Sequence, residues 1–191
     1  AYDPFNKLVD IPKSPKERYE IMTAEMPKGG PLSLDMMYKT AGIQINYDYT
    51  SEEDFEKKFK IGNYLTPLTI ALFANSPFNE NKLSGFLSYR GKVWQETNRG
   101  GIMPITFENV NFEKYVDHAI NYPILFLKKR GKYYSPNGQT FKDFLNGNLS
   151  FLKGEKPTLE DFENHLGTIF TELRLKQVIE FRSLDTCNFG C

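Results

Sequence analysis

With 191 residues, the chain is long enough for one domain with a buried core. Hydrophobic residues make up 40% and charged residues 25%, which excludes a disordered chain. The 24 basic side chains equal the 24 acidic ones, which excludes a global field drawing it to nucleic acid or to an anionic membrane.

Any anionic ligand must therefore be met by individually placed cations. No apolar run nears the roughly 20 residues that cross a bilayer. The opening Ala1-Tyr2-Asp3-Pro4-Phe5 lacks the charged and apolar regions of a secretory leader, and without an initiating Met, residue 1 reads as other than the natural start. Cys187 and Cys191 are too few for a disulfide framework, so a reducing, cytoplasmic compartment is expected.

Residues 1–13 read as an extended arm, with Pro4 and Pro12 opposing regular structure. Ser14 opens the first helix: Pro15 suits the first helical position, Glu17 completes a capping box, and Met26 to Pro31 ends it. Residues 40–49 alternate as a strand, Ile43, Ile45, Tyr47 and Tyr49 facing one side and Gln44, Asn46 and Asp48 the other. Ser51 and Asp54 form a second capping box before a long helix. That helix carries Phe55, Phe59, Leu65, Leu68 and Leu72 at helical spacing, with a kink at Pro67 and a stop at Asn75-Ser76-Pro77.

Residues 83–104 mix glycine, aromatics and charge without a period, as a loop-rich site region does. Phe112 to Ile120 predicts a short helix. Pro123 to Lys128, with Gly131-Lys132 and Tyr133-Tyr134, predicts a strand and a tight hairpin. Phe141 to Leu145 is a short helix, and Thr158 with Asp161 caps another that ends near Phe170. Val178 to Ser183 alternates again, Ile179 and Phe181 on one face, Glu180 and Arg182 on the other. With no βαβ rhythm, the order argues for an α+β fold with an antiparallel sheet.

An antiparallel sheet commonly buries one face and leaves the other open. Gln44, Asn46 and Asp48 with Glu180 and Arg182 can make that open face a shared platform. Its oxygen donors suit magnesium, and its guanidinium suits phosphate. Ordinary solvent-facing strand residues are the alternative. Arg90 near the sole tryptophan, Trp94, suits an amino-acid carboxylate beside an apolar wall, or else a surface arginine stacked on a core ring. Arg99-Gly100-Gly101 is a basic loop. His118 and His165 have no metal-ligand spacing and read as structural. Cys187 and Cys191 read as thiols close enough to touch.

Several runs carry a more specific signal. They are Met26-Pro27-Lys28-Gly29-Gly30, Leu34-Asp35-Met36-Met37, Ala71 through Phe78 (Ala-Leu-Phe-Ala-Asn-Ser-Pro-Phe), and Gly85-Phe86-Leu87-Ser88 with Arg90 and Trp94. Then come Gly101-Ile102-Met103-Pro104, Pro157-Thr158, Glu163-Asn164-His165-Leu166, Thr168-Ile169-Phe170, Glu172 through Lys176 and Glu180-Phe181-Arg182. In this order and spacing they resemble the glutamate–cysteine ligases of plants and alphaproteobacteria, over roughly residues 15–186.

The resemblance implies an ATP- and magnesium-dependent reaction joining the γ-carboxylate of glutamate to the amine of cysteine through an acyl phosphate, the step that begins glutathione synthesis. It implies a glutamine-synthetase-like carboxylate–amine ligase fold, a curved antiparallel sheet backed by helices. By the same resemblance Glu180 ligates magnesium, Arg182 meets the transferred phosphate, Arg90 and Arg18 meet substrate carboxylate, and Trp94 walls the amino-acid pocket. Gln44 and Asn46 lie on the polar strand face, and Asn75 and Ser76 stand in the strongest motif with their role open.

The family also has an earlier glutamate-rich strand region and a later Pro-Ala-Phe-like segment. Residues 1–191 are therefore expected to be one partial catalytic domain lacking N-terminal and C-terminal segments. Open sheet edges in such a fragment would favour self-association, and a homodimer is one assembly they allow. Two other functions are open: ligation to a different acceptor amine, and a non-catalytic ligand-binding remnant.

Overall fold

A computed structural model of the chain describes residues 1–103 and 110–188. Pro104 of the Gly-Ile-Met-Pro run and Cys191 lie outside the described residues, and with Cys191 goes the expected contact between the two thiols. The described residues form seven α-helices and three antiparallel sheets, the α+β class that the segment order implies. No helix among them is long and apolar enough to cross a membrane.

The sheet that matters for the site has three strands in the order β1 (Gly42–Tyr47), β7 (Ile179–Asp185), β6 (Leu173–Leu175). Alternation along β7 puts Ile179 and Phe181 on one face, where they pack with Leu173 and Leu175 of β6. Beneath them lies α3 (Glu52–Leu72), which contributes Phe55 and Phe59, both fully buried. Each such ring withdraws enough apolar surface to favour folding by about 1.5–3 kcal/mol.

β7 and β1 fall out of step once. Ile43 faces Leu184 but Ile45 faces Phe181, so β7 holds one extra residue across Arg182 and Ser183. This is a β-bulge, a device that re-aims side chains at sheet edges and beside sites.

The buried side of α3 differs from the expected stripe. Phe55 and Phe59 are core, but Leu65, Leu68 and Leu72 are 43%, 52% and 70% exposed, and the buried positions farther along are Asn63 and Thr66. The reason is the close seat of the helix under the sheet. A Cβ on Gly62 would come within 2.9 Å of Leu173 Cδ1, and Thr69 Oγ1 lies 2.9 Å from Ser183 Oγ. Small and polar residues line that contact, so the leucines point outward. The helix runs through Pro67.

β1 is likewise exposed along both faces. Ile43, Ile45 and Tyr47 share a face as expected, but α3 lies under β7 and β6 and leaves them uncovered.

Local signals set several boundaries. Ser51 caps α3 by accepting the Asp54 N–H, while the Asp54 carboxylate takes the Thr50 N–H rather than completing the box. The Thr158–Asp161 box forms in full and starts α7 (Leu159–Leu166), which ends short of the expected Phe170; a second full box, Thr140 with Asp143, starts α6 (Phe141–Leu145). Helix α5 (Phe112–Ile120) matches its expected span. The expected hairpin forms between β4 (Leu127–Lys129) and β5 (Lys132–Tyr134), turned by Arg130 and Gly131 at φ 51° and 78°, but its first strand starts at Leu127 and not at the expected Pro123.

Ser14 does not cap a helix. The chain stays extended through Lys16, and α1 begins at Glu17 and ends at Glu25. A cap contributes only about 1 kcal/mol, and α1 starts without a side-chain cap at Lys16. The arm is tied down too: Tyr2 is buried and bridges Thr40.

Three elements carry no clear sequence signal: α2 (Ser33–Lys39), α4 (Tyr89–Gln95) and the three-residue β6. A small hairpin of β2 (Phe78–Asn79) and β3 (Lys82–Leu83) precedes α4.

Candidate functional site

The polar face of the β1–β7–β6 sheet collects the partners, but it is not the open platform expected: Gln44 and Asn46 on β1 are exposed, while Arg182 and Arg174 are buried at 6% and 7% exposure. Asn46 on β1 pairs in register with Glu180 on β7, and Glu180 with Arg174 on β6. Arg174 Nε donates to Glu180 Oε2 at 2.6 Å, with its Nη2 2.5 Å from the same oxygen. Arg182 Nη1 donates to Gln44 Oε1 at 3.2 Å and to Glu180 Oε2 at 3.4 Å. The Arg182 guanidinium lies 5.3 Å from the centre of the Trp94 ring, and that of Arg90 lies 4.7 Å from the same ring. Glu180, Arg182, Gln44, Trp94 and Arg90 therefore form one cluster.

Its electrostatics follow from burial and cation crowding. Burial pushes the Glu180 carboxyl up, but Arg174, with Lys176 and Arg182, outweighs it and holds the group below the usual carboxylate range. Burial, with the nearby Arg174 charge, brings Arg182 down to about 10.

Glu172, just before β6, is fully buried with neither carboxylate oxygen hydrogen-bonded. Burial pushes its carboxyl up against the opposing pull of Arg90 and Arg182. Its carbonyl accepts the Arg182 N–H at 2.8 Å, so backbone pairing and counter-charge both bear on Arg182.

Arg90 is built into the fold. It is 2% exposed and passes under β1 where Gly42 has no side chain; a Cβ there would sit 2.8 Å from Arg90 Nη2. Its Nη2 donates to Arg182 O at 2.7 Å and its Nη1 to Ser183 O at 3.3 Å. Thus the guanidinium caps the carbonyls at the bulge, and its Nε is buried without a partner.

Asp185, 1% exposed at the end of β7, organises the next layer. It accepts the Asn75 N–H at 2.9 Å, the Ser76 hydroxyl at 2.7 Å and the Ser88 hydroxyl at 3.1 Å. Ser76 Oγ in turn accepts the Arg90 N–H at 3.1 Å, and Ser88 caps α4. The Asn75-Ser76 motif thus has a structural role: it clamps the end of β7 to the helix carrying Arg90 and Trp94.

Not every expected site residue joins the cluster. Arg18 lies on α1 with its guanidinium over the neighbouring Tyr19 ring, 5.4 Å from the centroid. Arg99 is bonded to Thr168 and Pro123 instead. His165 is structural: its ring stacks on Phe141, its Nε2 is 2.8 Å from Ala119 O, and burial lowers it to about 4.

Asp185, Glu172 and Arg174 are additions that strand alternation alone does not single out: Asp185 and Glu172 face groups from distant segments, and Arg174 meets Glu180 only because β6 pairs with β7.

Among the described residues no group of three His, Cys, Asp or Glu side chains comes together to hold a metal ion. Glu180 and the amide oxygens of Gln44 and Asn46 are the donors on the face. Magnesium keeps several waters and takes one or two carboxylates together with substrate phosphates, so these donors fit one wall of such a site and not a full cage.

Comparison with known proteins bears directly on this cluster. The family model described as glutamate–cysteine ligase family 2 matches residues 3–190. The chain is 49% identical over 188 residues to the chloroplastic glutamate–cysteine ligase of Nicotiana tabacum, covering 97% of this chain and 36% of that protein. It is 48% identical to the chloroplastic glutamate–cysteine ligase A of Oryza sativa subsp. japonica (97% and 38%) and 47% identical to the Arabidopsis thaliana chloroplastic enzyme (97% and 36%). The chain thus spans little more than a third of the relatives' length.

These chloroplastic names overturn the expectation of a cytoplasmic protein. Charge balance and a pair of cysteines are common to both compartments and carry no address. With the match running through both strands and the helix that build the cluster, the chain belongs to glutamate–cysteine ligase family 2.

Proposed function

We propose that the polypeptide carrying this segment forms γ-glutamylcysteine from glutamate, cysteine and ATP, the first step of glutathione synthesis, in a plastid as its relatives' names suggest. The observation that carries the proposal is the joining of Arg182, Glu180, Gln44 and Trp94 on one sheet face, within a match to enzymes named for that ligation. The fold we infer for the whole catalytic unit is the glutamine-synthetase-like carboxylate–amine ligase fold, of which this sheet is a part.

In this reading the γ-phosphoryl of ATP passes to the γ-carboxylate of glutamate. Negative charge then spreads over the transferring oxygens. Arg182 is the cation for those oxygens, since guanidinium meets phosphate bidentately, and its pairing with Gln44 and Glu180 fixes its direction beforehand. The cysteine amine attacks the acyl carbon, the C–N bond forms, the C–O bond to phosphate breaks, and the amine proton leaves with the departing phosphate or solvent. Magnesium, when bound with ATP, neutralises phosphate charge, and Glu180 with Gln44 and Asn46 would hold it. Trp94 walls the amino-acid pocket. Arg90, 2% exposed and committed to the β7 carbonyls, backs the Trp94 wall instead of reaching a substrate carboxylate, and Arg18 is a more distant candidate for that task.

The test is Arg182→Ala beside Arg182→Lys in the complete protein, following γ-glutamylcysteine formation and glutamate binding separately. Turnover is expected to fall by about 10²–10³-fold in Arg182→Ala, with a much smaller loss of glutamate binding. Wild-type turnover in Arg182→Ala overturns the phosphate role.

A further inference from the structure

A cavity of about 560 Å³ opens between the Met26-Pro27-Lys28-Gly29 turn, the segment after α4, and the strand-leading residues Tyr122 to Leu125. None of Glu180, Arg182, Arg90, Trp94 and Gln44 lines it. Its volume falls in the range that encloses small organic molecules.

The charges around it do not balance. Glu25 is matched by Lys28, whose Nζ lies 2.8 Å from Glu25 Oε1, and also takes the Ser135 hydroxyl at 2.9 Å. Arg99 has no such match. Its Nη1 donates to Thr168 O at 3.0 Å and to Thr168 Oγ1 at 3.4 Å, and its Nη2 donates to the Pro123 carbonyl. All three acceptors are neutral, and no ion pair to Arg99 is present among the described residues. The half-buried guanidinium also lies over the Tyr122 ring, 5.4 Å from its centroid. Its counter-charge is Glu25, which Lys28 already pairs, so a partly desolvated cation on the cavity wall has no carboxylate of its own, and a bound anion would be favourable there. Burial accordingly brings this guanidinium down to about 10.

Ser33 gives an independent sign. It lines the same cavity, is fully buried, and its hydroxyl has no hydrogen-bond partner. Buried polar groups are nearly always satisfied, so an unanswered hydroxyl bordering the cavity is a candidate partner for a polar atom bound there. Met26, Pro123, Ile124 and Leu125 make up the apolar part of the wall.

We propose that this cavity is a binding site for a small organic monoanion, a carboxylate with a short apolar body, anchored by Arg99 and hydrogen-bonded by Ser33. The carboxylate supplies the missing counter-charge, and the apolar body displaces water from the Met26–Leu125 side.

The test is a calorimetric titration of the protein with 4-methylpentanoate, its uncharged amide, and inorganic phosphate in parallel. Saturable binding of the carboxylate is expected, at least about ten-fold tighter than the amide because one charge-assisted contact is lost. Arg99→Gln is expected to remove that difference. Should Arg99→Gln fail to fold, having lost its ties to Thr168 and Pro123, Asn98→Trp carries the test: Asn98 is exposed and lines the cavity, so the larger side chain takes up its volume, and it is expected to abolish binding. Equal affinity for acid and amide, binding of phosphate alone, absence of saturable binding, or undiminished carboxylate binding in a folded variant overturns the proposal.

Discussion

Asp185 is the residue whose removal should most clearly expose how the site is held. Its carboxylate answers the Asn75 amide, the Ser76 hydroxyl and the Ser88 hydroxyl, and lies 3.9 Å from Arg90 Nη1 with both side chains almost fully buried. Hydrogen bonds to a charged group contribute about 1.5–3 kcal/mol each, but three donors sharing one carboxylate are not additive. The better guide is the cost of removing one partner from a buried charged pair, about 3–5 kcal/mol. Asp185→Ala is therefore expected to cost about 3–5 kcal/mol, and Asp185→Asn, which keeps one acceptor oxygen, about 1–2 kcal/mol.

Trp94, the only tryptophan, stacks on Arg90 and reports on this region by fluorescence. With a urea slope of about 2 kcal/mol/M, the midpoint should fall by about 1.5–2.5 M in Asp185→Ala. A shift below about 0.5 M, with the slope unchanged, refutes the clamp.

Three further outcomes are expected. His165 resists protonation in the folded state, at about 4 against 6.5 for an ordinary histidine, so the unfolded chain binds the extra proton. Its contribution is complete above pH 6.5 and is lost as pH falls towards 4, by about 3 kcal/mol; urea midpoints at pH 7, 5.5 and 4 should fall less steeply in His165→Gln than in the wild type. Gly62→Val should cost about 1–3 kcal/mol by driving a branched side chain into Leu173, with Gly62→Ala milder because alanine favours helix; equal stability of Gly62→Val and wild type in urea would contradict the close seat of α3. Thr158→Ala should lower stability by about 1 kcal/mol, whereas Ser14→Ala should stay within about 0.5 kcal/mol, and thermal melts of the two variants side by side decide which serine or threonine is a cap.

The local elements were legible where a segment's own chemistry sufficed. Thr158 closes its box with Asp161, an interaction over three residues, visible in a string of letters. The alternation of Val178 to Ser183 likewise put Ile179 and Phe181 towards the core and Glu180 and Arg182 away from it. α2, α4 and β6 were not legible: two are helices of seven residues and one a strand of three, lengths at which a period is hardly expressed and packing decides.

By itself, then, the sequence determined the α+β class, the polar and apolar faces of β1 and β7, the family, and the pairing of Glu180 and Arg182 on one face. Only the tertiary structure decided which apolar positions of α3 are buried, since Leu65, Leu68 and Leu72 satisfy the helical period as well as Phe59 does, yet the strands lie against Gly62 and Thr69. It also decided that Asp185 and Glu172 belong to the site and that Arg90 grips the β7 carbonyls while Arg18 and Arg99 stand elsewhere. The physical reason is that burial and counter-charge depend on atoms brought together across a hundred residues or more, as Ser76 and Asp185 are, and no periodicity within a segment encodes what will lie opposite it.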